Sequence, residues 1–179
     1  MTRHVAFLRG INLGNRRVKM DQLRRHIEEL GLENVATFIA SGNVVFDYSG
    51  SDLGRLEGEI ETHLEDAFGF FAETFVRPLG GLDQLTRLGV ISAAQDEGFT
   101  PHLIFLREEA GGRIEVGLSS LETPDDKFHV LGREVVWFRR GGLSESSITA
   151  HDLGKALGGM KNTMRKLNTI QRIVAKFGE

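Results

Sequence analysis

Apolar and polar positions in the first 78 residues follow two periods, one typical of strands and one typical of helices. Residues 4–8 are a short, mostly apolar run, as in a buried strand. From Met20 the apolar residues recur at spacings of three and four, which predicts an amphipathic helix. Residues 34–40 and 43–47 have strand patterns, and the short Ser41-Gly42 link between them is consistent with a hairpin.

A second helix and a fourth strand complete this half of the chain. Apolar residues recur at helical spacing from Leu53, and we expect the outward side of that helix to be acidic, with Glu57, Glu61 and Glu65 on it. A strand over 70–77 follows. The order β-α-β-β-α-β is typical of a ferredoxin-like unit, an antiparallel sheet with both helices on one face.

The other face of this sheet should be either covered or bound to a partner. Four phenylalanines are candidates to line one of the two faces, and we favour core packing for them because aromatic side chains are mostly buried. They are Phe38, Phe46, Phe71 and Phe75.

The second half is less regular, and no internal repeat is recognisable in the chain. The patterns predict a helix at 81–88, a loop at 91–100, a strand at 102–107, a short helix or turn at 113–121, a hairpin over 127–139, and helices over 145–157 and 163–177. We therefore predict an α+β protein in which a ferredoxin-like subdomain, residues 1–79, precedes a second, smaller α+β subdomain. That subdomain spans residues 80–179 and has two C-terminal helices.

Composition indicates a folded protein in a reducing compartment. The chain has 179 residues, 40% of them hydrophobic, with three prolines and no cysteine, which excludes disulfides, thiolate metal sites and a cysteine nucleophile. We expect a cytoplasmic protein without a signal peptide, and no stretch approaches the roughly 18 apolar residues of a membrane span. The net charge of −3 is uneven, because the two ends are basic and residues 51–100 are strongly acidic.

Residues 9–19, called the basic loop below, carry the clearest functional signal. A strand-to-helix connection usually needs about 2–6 residues, but this one has two glycines, two asparagines and four cations. Such a loop can direct backbone N–H groups and positive charge at an anion. The candidate anion-binding residues here are Arg9, Gly10, Asn12, Gly14, Arg16 and Lys19. Each residue also has an explanation without an anion. Arg9 could form a salt bridge with an acidic residue such as Glu73, and the glycines could be present only because the loop backbone needs conformations that other residues rarely adopt.

Two further groups are candidates for the same site. Ser41, Gly42 and Asn43 lie in the hairpin turn, which need not touch the basic loop, and ordinary turn chemistry is the alternative. Thr163, Arg165 and Asn168 lie at the start of the predicted last helix, with Thr163 as its N-cap and the other two on one face. We hypothesise that all three groups line one cleft between the halves.

The motifs resemble those of the domain of unknown function 1697 family, which is bacterial. The resemblance rests on residues 9–14, on Val18-Lys19-Met20, on residues 41–44 and on later motifs at 132–135 and 163–170. It implies an α+β fold with ferredoxin-like character and no established activity. The last motif departs from the family pattern, since Leu167 replaces the usual tryptophan.

The sequence contains few patterns that indicate catalysis or metal binding. The six histidines include no pair at the spacing that binds zinc on one helix, so we predict no metal, and no cofactor motif is present. The leading hypothesis is a protein that binds nucleic acid or a nucleotide phosphate through the basic loop. The alternatives are an enzyme acting on a small anionic metabolite and a protein-interaction module, and a homo-oligomer is compatible with each.

Overall fold

The computed structural model describes residues 1–178, which form two four-stranded antiparallel sheets and seven α-helices. The chain divides into two compact units. Unit 1 comprises Met1–Asp83 together with the C-terminal segment from Ile173, and unit 2 comprises Gln84–Arg172. The predicted α+β fold is confirmed. No helix among the described residues has both the length and the apolar character to cross a membrane.

The bounds of the elements are as follows. The strands are β1 Thr2–Leu8, β2 Glu33–Phe38, β3 Asn43–Tyr48, β4 Thr74–Pro78, β5 Thr100–Leu106, β6 Asp126–Leu131, β7 Glu134–Arg139 and β8 Asn162–Lys166. The helices are α1 Met20–Glu28, α2 Leu53–Phe68, α3 Leu79–Thr86, α4 Gly89–Asp96, α5 Gly112–Ser119, α6 Ala150–Ala156 and α7 Leu167–Phe177, with a 3₁₀ turn at Leu143–Glu145.

Unit 1 has the predicted ferredoxin-like topology. Its strand order is β2-β3-β1-β4, and every neighbouring pair is antiparallel. The apolar side of α1 (Leu23, Ile27) and that of α2 (Ile60) pack into one buried cluster with β1 and β3, so both helices cover the same face. Apolar burial of this kind is the dominant stabilising contribution.

The opposite face of this sheet does not offer an open aromatic platform. The C-terminal end of α7 reaches it, where the ring of Phe177 meets that of Phe38 edge to face, with centroids 6.2 Å apart. Phe46 and Phe75 are fully buried, which confirms core packing for them, whereas Phe71 keeps 38% of its surface exposed.

The outward side of α2 is not acidic throughout as predicted, because two of its glutamates are buried. Glu57 Oε1 accepts a hydrogen bond from the amide of Val76 at 2.8 Å, and Glu61 Oε1 accepts one from the amide of Thr74 at 2.9 Å. Both amides belong to β4, the edge strand, whose outward N–H groups would otherwise lack partners. Only Glu65 of the predicted set is exposed.

Unit 2 repeats the topology of unit 1, which the sequence analysis did not detect. Its sheet has the order β6-β7-β5-β8, so its elements again run β-α-β-β-α-β, and α5 and α6 pack on one face. The strand pairings align β5 with β1. In that register Thr2-Arg3-His4-Val5-Ala6-Phe7-Leu8-Arg9 corresponds to Thr100-Pro101-His102-Leu103-Ile104-Phe105-Leu106-Arg107. Five of these eight positions are identical.

Two predictions for the second half are wrong. Residues 162–166 form the edge strand β8, which pairs with β5, so the last helix begins at Leu167 instead of Thr163. Tertiary pairing with β5 overrides the helical reading of this segment. The predicted loop over 91–100 is largely the helix α4.

The repeated histidines predict a shared pH dependence. His4 Nδ1 donates to the carbonyl of Thr2 at 2.7 Å, and His102 Nδ1 donates to that of Thr100 at 3.1 Å. Burial lowers the pKa of both rings below the 6.5 of an exposed histidine. The unfolded chain therefore binds more protons than the folded chain just below pH 6.5, and the free energy of unfolding should fall as the pH falls through that value.

Urea denaturation from about pH 7.5 to about pH 5.5 measures this effect. The double variant His4→Asn, His102→Asn should show a flatter pH profile than the wild type. The variant His151→Asn, which changes an exposed histidine, should keep the wild-type profile. Equal slopes in the wild type and the double variant would contradict the account.

Candidate functional site

The basic loop leaves the C-terminal end of β1 through a paired arginine. The backbone N–H of Arg9 donates to the carbonyl of Glu73 at 2.8 Å, and its guanidinium forms a 2.9 Å salt bridge with Glu73 Oε2. The alternative role considered for Arg9 is therefore confirmed, since its charge is engaged by a carboxylate.

The side chain of Asn12 closes the basic loop on itself. Its Oδ1 accepts a hydrogen bond from the amide of Val18 at 2.7 Å, and its Nδ2 donates to the carbonyls of Val18 and Ala40, both at 3.2 Å. One amide group thus joins the two ends of the loop to the hairpin turn. Asn12 therefore serves the shape of the loop.

Two arginines reinforce this shape from within the loop. Arg16 Nη1 donates to the carbonyls of Gly10 and Phe71, and its guanidinium stacks 4.4 Å from the centroid of the Phe70 ring. Arg17 Nη1 donates to the carbonyl of Gly14 at 2.9 Å and to that of Arg16 at 2.7 Å. These contacts occupy only one of the two terminal nitrogens of each guanidinium.

The donors left open by these contacts lie at the centre of the loop and at its end. Within residues 1–178, the backbone N–H groups of residues 10–15 donate no hydrogen bond, and neither Asn15 nor Lys19 has a side-chain polar partner. Gly10 and Gly14 have φ angles of 67° and 62°, the left-handed conformation that occurs in anion-binding backbone turns where it alternates with right-handed residues. Lys19 is exposed at the N-cap position of α1.

The hairpin turn does contact the basic loop, which corrects the expectation from the sequence. β3 pairs antiparallel with β1, so the turn that precedes β3 lies at the end of β1 where the loop starts. The amide of Leu8 donates to the carbonyl of Gly42 at 2.8 Å. A Cβ atom on Gly42 would lie 2.7 Å from Ile11 Cγ2, so the two segments are in close contact.

Ser41 and Asn43 stabilise the turn. Asn43 is fully buried, and its Nδ2 donates to Ser41 Oγ at 2.8 Å and to the carbonyl of Phe38 at 3.0 Å. Ile39 adopts a φ of 51°, which is rare for a β-branched residue and indicates local strain. The two hydrogen bonds of Asn43 are ordinary turn chemistry.

Thr163, Arg165 and Asn168 belong to unit 2, whereas the basic loop belongs to unit 1. Thr163 and Arg165 lie in β8, where Arg165 Nη1 donates to Thr163 Oγ1 at 2.9 Å and burial lowers the pKa of Arg165 to about 10. Asn168 is exposed on α7, so these residues share no helix face and Thr163 is no N-cap. The common cleft stays a prediction.

A cluster of potential metal ligands was missed by the sequence search. His26, Glu29 and His63 come together from α1, its C-terminal cap and α2. His26 and His63 lie on different helices, and no local sequence signal links residues separated by more than 30 positions. By contrast, the carboxylate of Asp126 is buried and accepts hydrogen bonds from Trp137, Ser146 and Arg139.

The pattern that defines a family described as "Protein of unknown function (DUF1697)" matches residues 1–136. The chain belongs to the DUF1697 family. The match includes the basic loop and the hairpin turn and ends before Thr163, so the departures in the last motif fall outside it. No curated protein matches the chain.

Among solved structures, this DUF1697 chain is similar to the conserved bacterial protein SP0830 from Streptococcus pneumoniae. The two are 24% identical, the TM-score is 0.73, and the likeness covers 96% of each chain. At this identity the likeness supports the fold alone.

The contact between the hairpin turn and the basic loop predicts unequal effects of two glycine substitutions. Gly14→Ala meets no atom within 4 Å, so only its left-handed backbone should cost stability, about 1–2 kcal/mol. Gly42→Ala has the same backbone cost and also forces Cβ against Ile11 and the carbonyl of Leu8, which should add about 1–3 kcal/mol. Urea denaturation of both variants measures the difference, and equal losses would contradict close packing of the turn on the loop.

Proposed function

We propose that this protein binds the phosphate of a nucleotide through the basic loop. The observation that carries the proposal is a comparison of the two units. In unit 2 the equivalent connection between β5 and α5 takes five residues, 107–111, whereas the basic loop takes eleven, residues 9–19. The fold therefore does not require the longer loop.

The charge of the two connections supports the same conclusion. The unit 2 connection keeps the equivalent of Arg9, which is Arg107, but continues with Glu108 and Glu109. The basic loop adds Arg16, Arg17 and Lys19 to a backbone whose N–H groups at 10–15 have no partner among the described residues. Convergent N–H groups and cations are the chemistry that recognises phosphate.

A small nucleotide fits better than a nucleic acid on two grounds. Sheets that bind RNA use exposed aromatic side chains on which bases stack, but Phe38 is covered by Phe177 and Phe75 is buried. Phe71, whose carbonyl accepts a hydrogen bond from Arg16, is exposed beside the loop instead. One aromatic beside a phosphate-binding loop suits a single base.

Titration with adenosine triphosphate, adenosine and a single-stranded RNA oligonucleotide tests the proposal. The wild type should bind the nucleotide and not the nucleoside. The double variant Arg17→Ala, Lys19→Ala should bind the nucleotide at least about 10-fold more weakly, because it loses two charges that contact phosphate. Arg16 is left intact since it joins the loop to Phe70 and Phe71, whereas both contacts of Arg17 stay within the loop. Urea denaturation of the double variant shows whether the lost Arg17 contacts alter folding.

The matched control is Arg24→Ala, Arg25→Ala, which removes the same charge from α1 outside the loop and should leave affinity within about twofold. Equal losses of nucleotide affinity in both double variants would show that only the net charge of the protein matters, and this result would contradict the proposal. RNA binding that is tighter than nucleotide binding and falls by about 10³–10⁵ between low and moderate salt would favour the nucleic-acid hypothesis instead.

A further inference from the structure

Two helices of unit 1 hold three metal-binding side chains around one point. His26 Nδ1 and His63 Nε2 each lie 3.0 Å from the same atom, Glu29 Oε2. All three ligand atoms lie within 4.8 Å of one another. His26 is in the last turn of α1, Glu29 caps that helix, and His63 comes from α2.

Aromatic packing fixes the orientation of the two imidazoles. The rings of His26 and Phe68 pack edge to face. Their centroids are 5.1 Å apart, and the angle between the ring planes is 85°. The His26 and His63 rings are 5.5 Å apart. Both histidine side chains are 29% exposed, so the bodies of the rings are packed while the cluster stays open to solvent.

These distances match the spacing of ligands around a tetrahedral ion. Zinc bonds to imidazole nitrogen and carboxylate oxygen are about 2.0–2.2 Å long, which places neighbouring ligand atoms about 3.3 Å apart in a tetrahedron. The two separations of 3.0 Å from Glu29 Oε2 therefore need to open by only a few tenths of an ångström, and the one between His26 Nδ1 and His63 Nε2, which is at most 4.8 Å, needs to close by no more than about 1.5 Å. Side-chain rotation alone can supply such a change.

The donor set selects a class of metal. Two imidazoles and one carboxylate suit Zn²⁺ and its neighbours Ni²⁺ and Cu²⁺, whereas Mg²⁺ and Ca²⁺ prefer ligands that are all oxygen. His63 also borders a shallow depression lined by Arg55, Glu59 and Asp66. Arg55 pairs with Glu59 there at 2.8 Å, which leaves Asp66 as the negative charge that favours a cation.

We propose that His26, Glu29 and His63 form a binding site for a divalent transition-metal ion of the Zn²⁺ class. The three side chains supply three ligands, and the exposed side of the cluster leaves a fourth position to water. The ion joins the C-terminal end of α1 to the middle of α2, two helices that cover the same sheet face. This site is independent of the basic loop.

Isothermal titration of tag-free, chelator-treated protein with Zn²⁺ tests the site directly. The wild type should bind one equivalent, and its melting temperature should rise with Zn²⁺ concentration because the ion binds the folded chain more tightly than the unfolded chain. Mg²⁺ should give neither effect. Titration with Co²⁺ should produce the intense visible absorption of a four-coordinate ion.

The variants His26→Gln, His63→Gln and Glu29→Gln should each weaken Zn²⁺ binding by more than about 100-fold, beyond the 10–100-fold that loss of an outer-shell partner costs. The matched control His151→Gln changes an exposed histidine of α6 and should bind like the wild type. Melting of each variant in chelator separates lost binding from lost folding, since all three substitutions lie at the surface.

Two results would overturn the proposal. One is a wild type that takes up no Zn²⁺ at micromolar concentration. The other is a His26→Gln, His63→Gln double variant that melts like the chelator-treated wild type and still binds one equivalent, because the ion would then occupy a different site.

Discussion

The hydrogen bonds of Asn12 are the constraint on which the candidate anion site depends. An eleven-residue loop with two glycines and two asparagines would sample many conformations, and ordering each residue costs about 1–2 kcal/mol of entropy. Asn12 forms hydrogen bonds with Val18 near the end of the loop and with Ala40 in the hairpin turn. One side chain therefore restricts the conformations of the loop and fixes its position against the turn. Arg16 and Arg17 cap carbonyls from inside. What remains is a set of N–H groups at residues 10–15 and the ammonium of Lys19, which have no partner among the described residues, and this chemistry suits an anion.

The repeat explains why this loop is distinctive. Both units make the same contacts where the first strand ends: the amides of Leu8 and Leu106 donate to the carbonyls of Gly42 and Arg133 in the respective hairpin turns, both at 2.8 Å. The scaffold is therefore shared, and the two connections that leave it differ in length and charge. A longer, basic loop on one copy and a short, acidic one on the other is what a functional elaboration of one unit looks like.

The ferredoxin-like topology of unit 1 could be predicted because its helices and strands have clean periodicity. The repeat could not, because its signal is confined to a few positions such as His4 and His102, and the connections between them differ in length. β8 looked helical because an edge strand of five residues carries little pattern of its own, and pairing with β5 decided its structure. Glu57 and Glu61 were predicted to be exposed because charged side chains usually face solvent. They are buried because their carboxylates accept hydrogen bonds from amides of the edge strand β4, which the sequence pattern does not reveal. The basic loop was found from its composition, whereas its contact with Gly42 and the cluster of His26 with His63 depend on which strands and helices become neighbours.

The most direct test of the account is a ¹⁵N NMR titration of the protein with a nucleoside triphosphate. The account predicts that the largest shift changes fall on the amides of Gly10 to Asn15 and on Lys19, with smaller changes at the hairpin turn that Asn12 holds. Shift changes that are absent from the basic loop, or that spread evenly over the exposed cations of both units, would contradict it.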